Sequence, residues 1–187
     1  LIGLVGSEMC IRDSCKVLRS IRTKDDKRKM SFDVACADLL LKSEKINSAI
    51  DVLIEALESG PKNPDLLYKT AIMASQQDRL ADAEKLFDRF IKDNPDNPAG
   101  WNSLGYLWVD RGLHLDKAET YLLKAMELSQ GKDAFITDSL GWLRYRQGRL
   151  KEAEELIRKA QYAQPGDTDI ALSLIHISEP TRPISIS

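Results

Sequence analysis

Small residues recur at a fixed spacing along most of this chain. Within each of two sets, successive members lie 34 to 36 residues apart: Ala37, Ala71, Gly105 and Gly141, and Ala49, Ala83, Ala118 and Ala153. Two helices approach to about 8–10 Å between their axes only where the facing side chains are short. The spacing therefore predicts a series of similar antiparallel helix pairs stacked one on the next.

The repeat can be followed from Met30 to Asp167 in four units, which are residues 30–63, 64–97, 98–133 and 134–167. Proline, which lacks the N–H that a helix interior needs, is expected to end the second helix of three units, with Gln130 in its place in the third. These prolines are Pro61, Pro95 and Pro165. The predicted helices are 31–43, 47–59, 65–77, 81–93, 99–111, 116–129, 135–147 and 151–164.

Glycines mark the turn between the two helices in the last two units. Gly112 and Gly148 stand where a positive φ angle is expected, and glycine adopts such angles without steric cost. The third unit is longer than the others by two residues, around His114 and Gly131. Both additions are predicted to be loop insertions, which stacked repeats accept.

Composition narrows the class of protein. Of the 187 residues, 30% are charged and 43% hydrophobic, which is typical of an ordered helical chain and not of a disordered one. A net charge of −2 argues against a nucleic-acid binder. No apolar run reaches the length of about 18 residues that indicates a membrane-spanning helix.

Cysteine and histidine give no indication of a metal or cofactor site. The three cysteines, Cys10, Cys15 and Cys36, include no CxxC pair and are interpreted as buried or incidental thiols. His114 and His176 lie far apart in the sequence without a cysteine cluster, so a structural zinc site is not expected. We predict no metal and no cofactor.

The two ends of the chain differ from the repeats. Residues 1–14, LIGLVGSEMCIRDS, and residues 173–187, SLIHISEPTRPISIS, resemble peptides produced when sequencing-adapter DNA is translated onto unrelated reading frames. Both are expected to be non-native, and the alternative is native, disordered tails. Residues 15–29 are interpreted as part of a preceding repeat or a linker ending in a solvated basic run, and residues 168–172 as the start of a truncated helix.

The last two units carry the clearest resemblance to a known family. WNSLGYLWVDRG (Trp101 to Gly112) and DSLGWLRYRQGRLKEAEELIRKA (Asp138 to Ala160) are similar to tetratricopeptide repeats, most of all to the C-terminal repeats of bacterial envelope proteins and lipoproteins. The resemblance implies an all-α, right-handed superhelical solenoid of about four repeats, and it favours the bacterial envelope or periplasm. Arg144, Thr70 and Cys36 depart from the apolar residues usual in the family, which implies either looser packing or polar contacts.

The resemblance also implies a concave groove, lined by the first helix of each unit, that binds a peptide or helix of a protein partner. The partner-binding residues predicted in this way are Tyr68, Ile72, Asn102, Tyr106, Val109, Asp138, Trp142, Tyr145 and Arg146. Four further positions are expected to line the groove: Val34, Asp38, Leu41 and Ser75. The lysine and asparagine set with which chaperone-binding relatives hold a terminal carboxylate is absent from these positions, so a chaperone co-factor role is not expected.

An interaction scaffold is the favoured function because aromatic residues, which dominate binding hot spots, fall on one predicted face. These are Tyr68, Tyr106, Trp142 and Tyr145. The alternative is that some of these rings pack against a neighbouring repeat or cap. A spacer role, or self-association through uncapped ends, is a second possibility.

An enzymatic role is the least favoured function. The acid pairs Glu154–Glu155 and Asp25–Asp26 are sequence neighbours, and neighbours on a helix do not face one another. The sequence has no glycine-rich phosphate loop, nucleophile elbow or metal-ligand spacing. Solvated helix faces account for these carboxylates.

Overall fold

The computed structural model describes residues 25–178 together with Cys15 and Val17. Within this part of the chain all regular secondary structure is α-helical, in agreement with the predicted fold class. The helices are α1 (Asp26–Lys42), α2 (Ile46–Ser59), α3 (Pro64–Gln76), α4 (Leu80–Asp93), α5 (Pro98–Arg111), α6 (Leu115–Leu128), α7 (Ala134–Arg146), α8 (Leu150–Ala163) and α9 (Thr168–Ser178).

Two helices differ from the predicted bounds by more than one residue. Helix α1 begins at Asp26 because the Asp25 carboxylate accepts hydrogen bonds from the backbone N–H groups of Lys27 and Arg28, at 3.0 and 3.4 Å. Helix α9 continues past Leu172 to Ser178, so the expectation of disorder from residue 173 is wrong for its first six residues. The rest of residues 173–187 and all of residues 1–14 lie outside the described residues.

The first helix of each later repeat starts with an acidic or amide cap. The side-chain oxygen of the residue before each helix accepts one or two backbone N–H bonds of the first turn. The capping residues are Asn63, Asn97, Asp133 and Asp167. The second helices α2, α4 and α8 end two residues before Pro61, Pro95 and Pro165, as the proline pattern predicts.

The turn between the paired helices has a positive φ angle at the same repeat position in all four repeats, and the third turn has a second one at His114. Gly112 and Gly148 have positive φ angles of 68° and 76°, which confirms their predicted role. The corresponding residues of the first two repeats, Glu44 and Asp78, both have a φ of 58°. These two turns carry no glycine, so the sequence alone did not reveal the shared conformation.

The small residues that define the repeat are buried at the contacts between paired helices. Ala49, Ala83, Ala118 and Ala153 have no exposed surface, and Gly105 and Gly141 are buried as well. Leu104 and Leu143 are fully buried in the same helix pairs. The spacing of small residues therefore identified the inner face of each helix correctly.

The chain divides into two compact units, one up to Leu86 and the other from Phe87. In the first unit α1 packs on α2, and α2 on α3. In the second unit α5 pairs with α6 and α7 with α8. There each first helix also contacts the next first helix, α5 with α7 and α7 with α9. The first helices of the second unit thus lie side by side.

A disulfide corrects the interpretation of two cysteines as incidental thiols. Cys15 and Cys36 are bonded to each other, across a sequence separation of 21 residues. Cys36 lies inside α1 with almost no exposed surface. A cysteine thus replaces the apolar residue usual in the family at this position, and it links α1 covalently to the segment before it. Cys10 lies outside the described residues.

The other departures from the family pattern make polar contacts. The buried Arg144 guanidinium on α7 donates 2.7 Å hydrogen bonds to Glu119 on α6 and to Gln147. The Gln147 amide in turn donates to the second Glu119 oxygen at 2.9 Å. These bonds hold the pKa of Glu119 below its usual range. Thr70 is fully buried and donates to the Leu66 carbonyl at 2.7 Å.

Candidate partner-binding face

Five of the predicted groove residues lie together on the first helices of the second unit. Asn102 and Tyr106 are one turn apart on α5, and Asp138, Trp142 and Tyr145 follow the same spacing on α7. Because residues three and four apart share one face of a helix, and because α5 packs against α7, the two rows are neighbours. We call these five residues the α5–α7 face.

Tyr106 is the most exposed member of the α5–α7 face, with 43% of its surface accessible. The pKa of its hydroxyl is raised, first by partial burial and then by the nearby carboxylates of Asp110, Asp138 and Asp169. The ring is therefore open to solvent, and its hydroxyl lies near carboxylates.

Asp138 is an acidic side chain placed in a poorly solvated position. Only 9% of the residue is exposed. The Ser173 hydroxyl of α9 donates a 3.2 Å hydrogen bond to Oδ2. Burial raises the pKa of the carboxyl to about 6, and the charges of Asp167 and Asp169 act in the same direction. At neutral pH the Asp138 carboxyl is therefore ionised, although its buried surroundings disfavour the charged form.

Trp142 and Tyr145 form a stacked aromatic pair. Their ring centroids are 5.1 Å apart with an interplanar angle of 19°. His176 of α9 meets both rings edge-on, at 5.1 Å from Trp142 and 5.8 Å from Tyr145. Both aromatic residues are half-buried, so α9 covers part of the surface that was predicted to receive a partner.

Unpaired polar atoms concentrate on this face. Among the residues that the structure describes, three buried side-chain polar atoms have no hydrogen-bond partner: Asn102 Oδ1, Asp138 Oδ1 and Trp142 Nε1. Buried polar atoms are paired in the great majority of cases, and each exception calls for an explanation. All three exceptions belong to the α5–α7 face.

Two predicted residues of the second unit do not belong to this face. Val109 has no exposed surface, so its prediction as a partner contact is wrong. The Arg146 guanidinium reaches back to α5 and donates to the Asp110 carbonyl at 3.1 Å. This bond links the end of α7 to α5 one residue after Val109. Arg146 therefore joins the two helices.

In the first unit the predicted residues lie on α1 and α3. Tyr68, Ile72 and Ser75 on α3 are half-buried. Val34 and Leu41 on α1 pack against a buried cluster of the first helix pair, so they contribute to the interior of this unit. Asp38 is exposed. That these positions form one groove with the α5–α7 face stays a prediction.

Residues of α9 that contact or face the site were missed from the sequence. Asp169, Ser173 and His176 lie at or beyond the point where the sequence was read as a truncated, non-native end. The repeat period is the sequence signal that identifies these α9 residues. His176 lies 34 residues after Trp142, so it occupies the corresponding position of the next first helix.

Within residues 25–178, Cys15 and Val17, no group of three histidine, cysteine or acidic side chains is placed to hold a metal ion. None of the helices in this part of the chain combines the length and the apolar composition needed to cross a membrane.

The raised pKa of Asp138 predicts an unusual pH dependence. A carboxyl group whose pKa is higher in the folded state makes the fold less stable as the pH rises between the two values, here from 3.8 to about 6. Asp138→Asn should therefore raise the free energy of unfolding at neutral pH by about 1–3 kcal/mol. Asp167, Asp169 and Tyr106 keep their influence in the variant, and Ser173 keeps an acceptor.

Urea denaturation followed by circular dichroism across this pH range measures the effect. Below pH 3.8 the variant and the parent should have the same stability, because Asp138 is protonated in both states. The exposed Asp96 offers a matched control, since Asp96→Asn should change stability by less than about 0.5 kcal/mol. A D138N variant that is less stable than the parent at neutral pH would contradict the assignment.

Comparison with known families identifies the repeat. Two segments of the chain, residues 40–105 and residues 139–168, match family models described as tetratricopeptide repeat. Together the two matches cover just over half of the 187 residues.

Curated relatives extend this likeness. The chain is 35% identical over 138 residues to the TPR repeat-containing protein PA4667 of Pseudomonas aeruginosa, an alignment that covers 74% of this chain and 23% of the relative. It is 25% identical over 120 residues to the mitochondrial import receptor subunit TOM70 of Rattus norvegicus, covering 63% and 19% of the two chains. The chain thus spans roughly a fifth of the length of these relatives.

Solved structures share the fold at low sequence identity. A tetratricopeptide repeat protein from Parabacteroides merdae has a TM-score of 0.72 at 16% identity, covering 93% of this chain and 65% of that one. MamA from Desulfovibrio magneticus has a TM-score of 0.65 at 18% identity, covering 79% and 82%. The first TPR of Spaghetti (RPAP3), bound to an HSP90 peptide, has a TM-score of 0.54 at 16% identity, covering 62% and 90%. By the matched family models and the shared fold, the chain belongs to the tetratricopeptide-repeat family.

Proposed function

We propose that this chain is a non-catalytic interaction module that binds a peptide or helix of a partner protein on the α5–α7 face. The observation that carries the proposal is the concentration of unpaired buried polar atoms there, on Asn102, Asp138 and Trp142. A partner backbone or side chain that donates to the two oxygens and accepts from the indole N–H satisfies all three. The exposed Tyr106 ring provides apolar contact area beside them.

The solved structure of the RPAP3 repeat domain with a peptide supports this mode of binding, since the two chains share a fold. Its peptide, SRMEEVD, is acidic. The α5–α7 face does not suit such a ligand, because it carries the buried Asp138 carboxylate and Asp169 acts on Tyr106 and Asp138 as well. We therefore expect this chain to bind a ligand of different chemistry.

Glu154 and Asp25, one from each pair of neighbouring acids, have structural roles. Glu154 pairs with Arg158 one turn later on α8, at 2.8 Å. Asp25 caps the start of α1. These contacts favour a binding role for the chain over acid–base chemistry.

Alanine variants test the proposal. Tyr106→Ala and Trp142→Ala should each weaken binding of a peptide selected from a displayed random library by about tenfold or more, since buried aromatics dominate binding free energy. Tyr162→Ala is the matched control, because Tyr162 is 91% exposed on α8, a second helix. Fluorescence anisotropy with a labelled peptide gives the affinities, and circular dichroism checks that all variants stay helical.

Peptides whose affinity is the same for the parent, Tyr106→Ala and Trp142→Ala would refute the α5–α7 face as the binding site. A loss for Tyr162→Ala alone would place binding on the second helices instead.

Self-association is a second candidate function, favoured by the apolar surface of α9. Leu172 and Ile175 are 61% and 56% exposed on this helix. Apolar end faces of stacked repeats are normally covered by a further element. Light scattering of the full chain over a range of concentrations tests it, and a concentration-independent monomer removes this candidate.

A further inference from the structure

We propose that the segment bound on the α5–α7 face carries a lysine or arginine whose cation is held between Asp138 and the ring of Tyr106. The inference rests on the proposed function and specifies the chemistry of the partner.

The environment of Asp138 favours a cationic ligand. A carboxylate that is nine-tenths buried costs free energy unless opposite charge or several hydrogen bonds compensate it. Here Oδ2 accepts one bond, from the uncharged Ser173 hydroxyl, and Oδ1 accepts none. A cationic donor supplies both the missing hydrogen bond and the missing charge.

Carboxylates act on both Asp138 and Tyr106. Asp167 and Asp169 act on Asp138, and Asp110 and Asp169 act with Asp138 on Tyr106. Asp110 is paired with Arg111 at 3.4 Å, and the Arg146 guanidinium donates to the Asp110 carbonyl. A neutral ligand therefore leaves the charge of the buried Asp138 carboxylate uncompensated, and an acidic ligand is repelled by it.

The exposed ring of Tyr106 also favours a lysine or arginine. A lysine or arginine cation within about 6 Å of an aromatic centroid is attracted by the face of the ring. Lysine and arginine also have long apolar stems that pack on aromatic surface while the charged end stays near a carboxylate. The same residue can therefore use the open Tyr106 ring and the adjacent Asp138.

Panning a displayed library of random short peptides against the full chain provides the probes. We expect the enriched peptides to contain more lysine and arginine than the starting library. The best peptide is then synthesised, together with a copy in which its basic residue is glutamine. Each is measured against the parent, Asp138→Asn and the control Asp96→Asn.

The basic peptide should bind Asp138→Asn about tenfold more weakly than the parent, the size expected for loss of a charge-assisted hydrogen bond. The glutamine copy should bind Asp138→Asn and the parent with nearly the same affinity. The change in the peptide and the change in the protein each remove the same interaction, so the second change costs little more. Asp96→Asn should bind both peptides like the parent. Since Asp138→Asn is expected to be the more stable fold at neutral pH, unfolding does not explain a loss.

Enriched peptides without basic residues, or basic peptides that bind Asp138→Asn as tightly as the parent, would overturn the inference. In that case the proposed function stands if Tyr106→Ala and Trp142→Ala still weaken the same peptides. The proposed function and the inference would both be refuted if none of these substitutions changed the affinity of the peptides, or if panning enriched no peptide.

Discussion

Replacing Gly141 by leucine should lower the free energy of unfolding by about 3 kcal/mol, the upper end of the usual cost of overpacking. A β-carbon at this position would lie 2.5 Å from Ile157 Cγ1 and 3.3 Å from the Ala153 carbonyl oxygen. Both neighbours are fully buried on α8, and one of the contacting atoms is backbone. The helix pair α7–α8 must therefore separate to accept a side chain.

Gly166 provides the matched control in the same unit. A β-carbon there would meet no heavy atom within 4 Å, so Gly166→Leu should change the free energy of unfolding by less than about 0.5 kcal/mol. Urea denaturation followed by circular dichroism compares the two variants. Equal stability of Gly141→Leu and the parent would show that a different face of α7 points inward.

Breaking the Cys15–Cys36 disulfide should cost about 3 kcal/mol of stability. The bond closes a loop across a separation of 21 residues and limits the conformations of the unfolded chain. Cys36→Ser is expected to show this loss in urea denaturation, as is the parent under reducing conditions. Reductant should have no further effect on Cys36→Ser.

Cys10→Ser is the control for this prediction, since it leaves the bonded pair intact. Alkylation and intact-mass measurement of the unreduced parent should find Cys15 and Cys36 unmodified. Alkylation of both, with no change in stability on reduction, would contradict the disulfide.

Local features of this fold could be predicted from the sequence because they depend on residues close together in the chain. The 34-residue period with its buried small residues placed every repeat helix after α1 within one residue at each end. Proline and glycine, whose backbone preferences are intrinsic, marked the helix ends and the turns at Gly112 and Gly148. The groove positions on α5 and α7 came from the resemblance to tetratricopeptide repeats, and their binding of a partner stays a prediction.

Other features depend on contacts that the sequence does not show. The partner of Cys36 lies 21 residues away, and the partner of Arg144 lies on the preceding helix α6. Val109 occupies a groove position of the repeat, yet its side chain is fully buried. The unpaired atoms of the α5–α7 face became visible only once burial and hydrogen bonding were known together.

The most direct test of the central claim is to map a panned peptide onto the full chain by backbone amide chemical shifts. Binding on the α5–α7 face predicts the largest changes in α5 and α7, centred on Tyr106, Asp138 and Trp142. Residues of α6 and the outer surface of α8, including Tyr162, should change little. Changes confined to α6 and α8 would contradict the account.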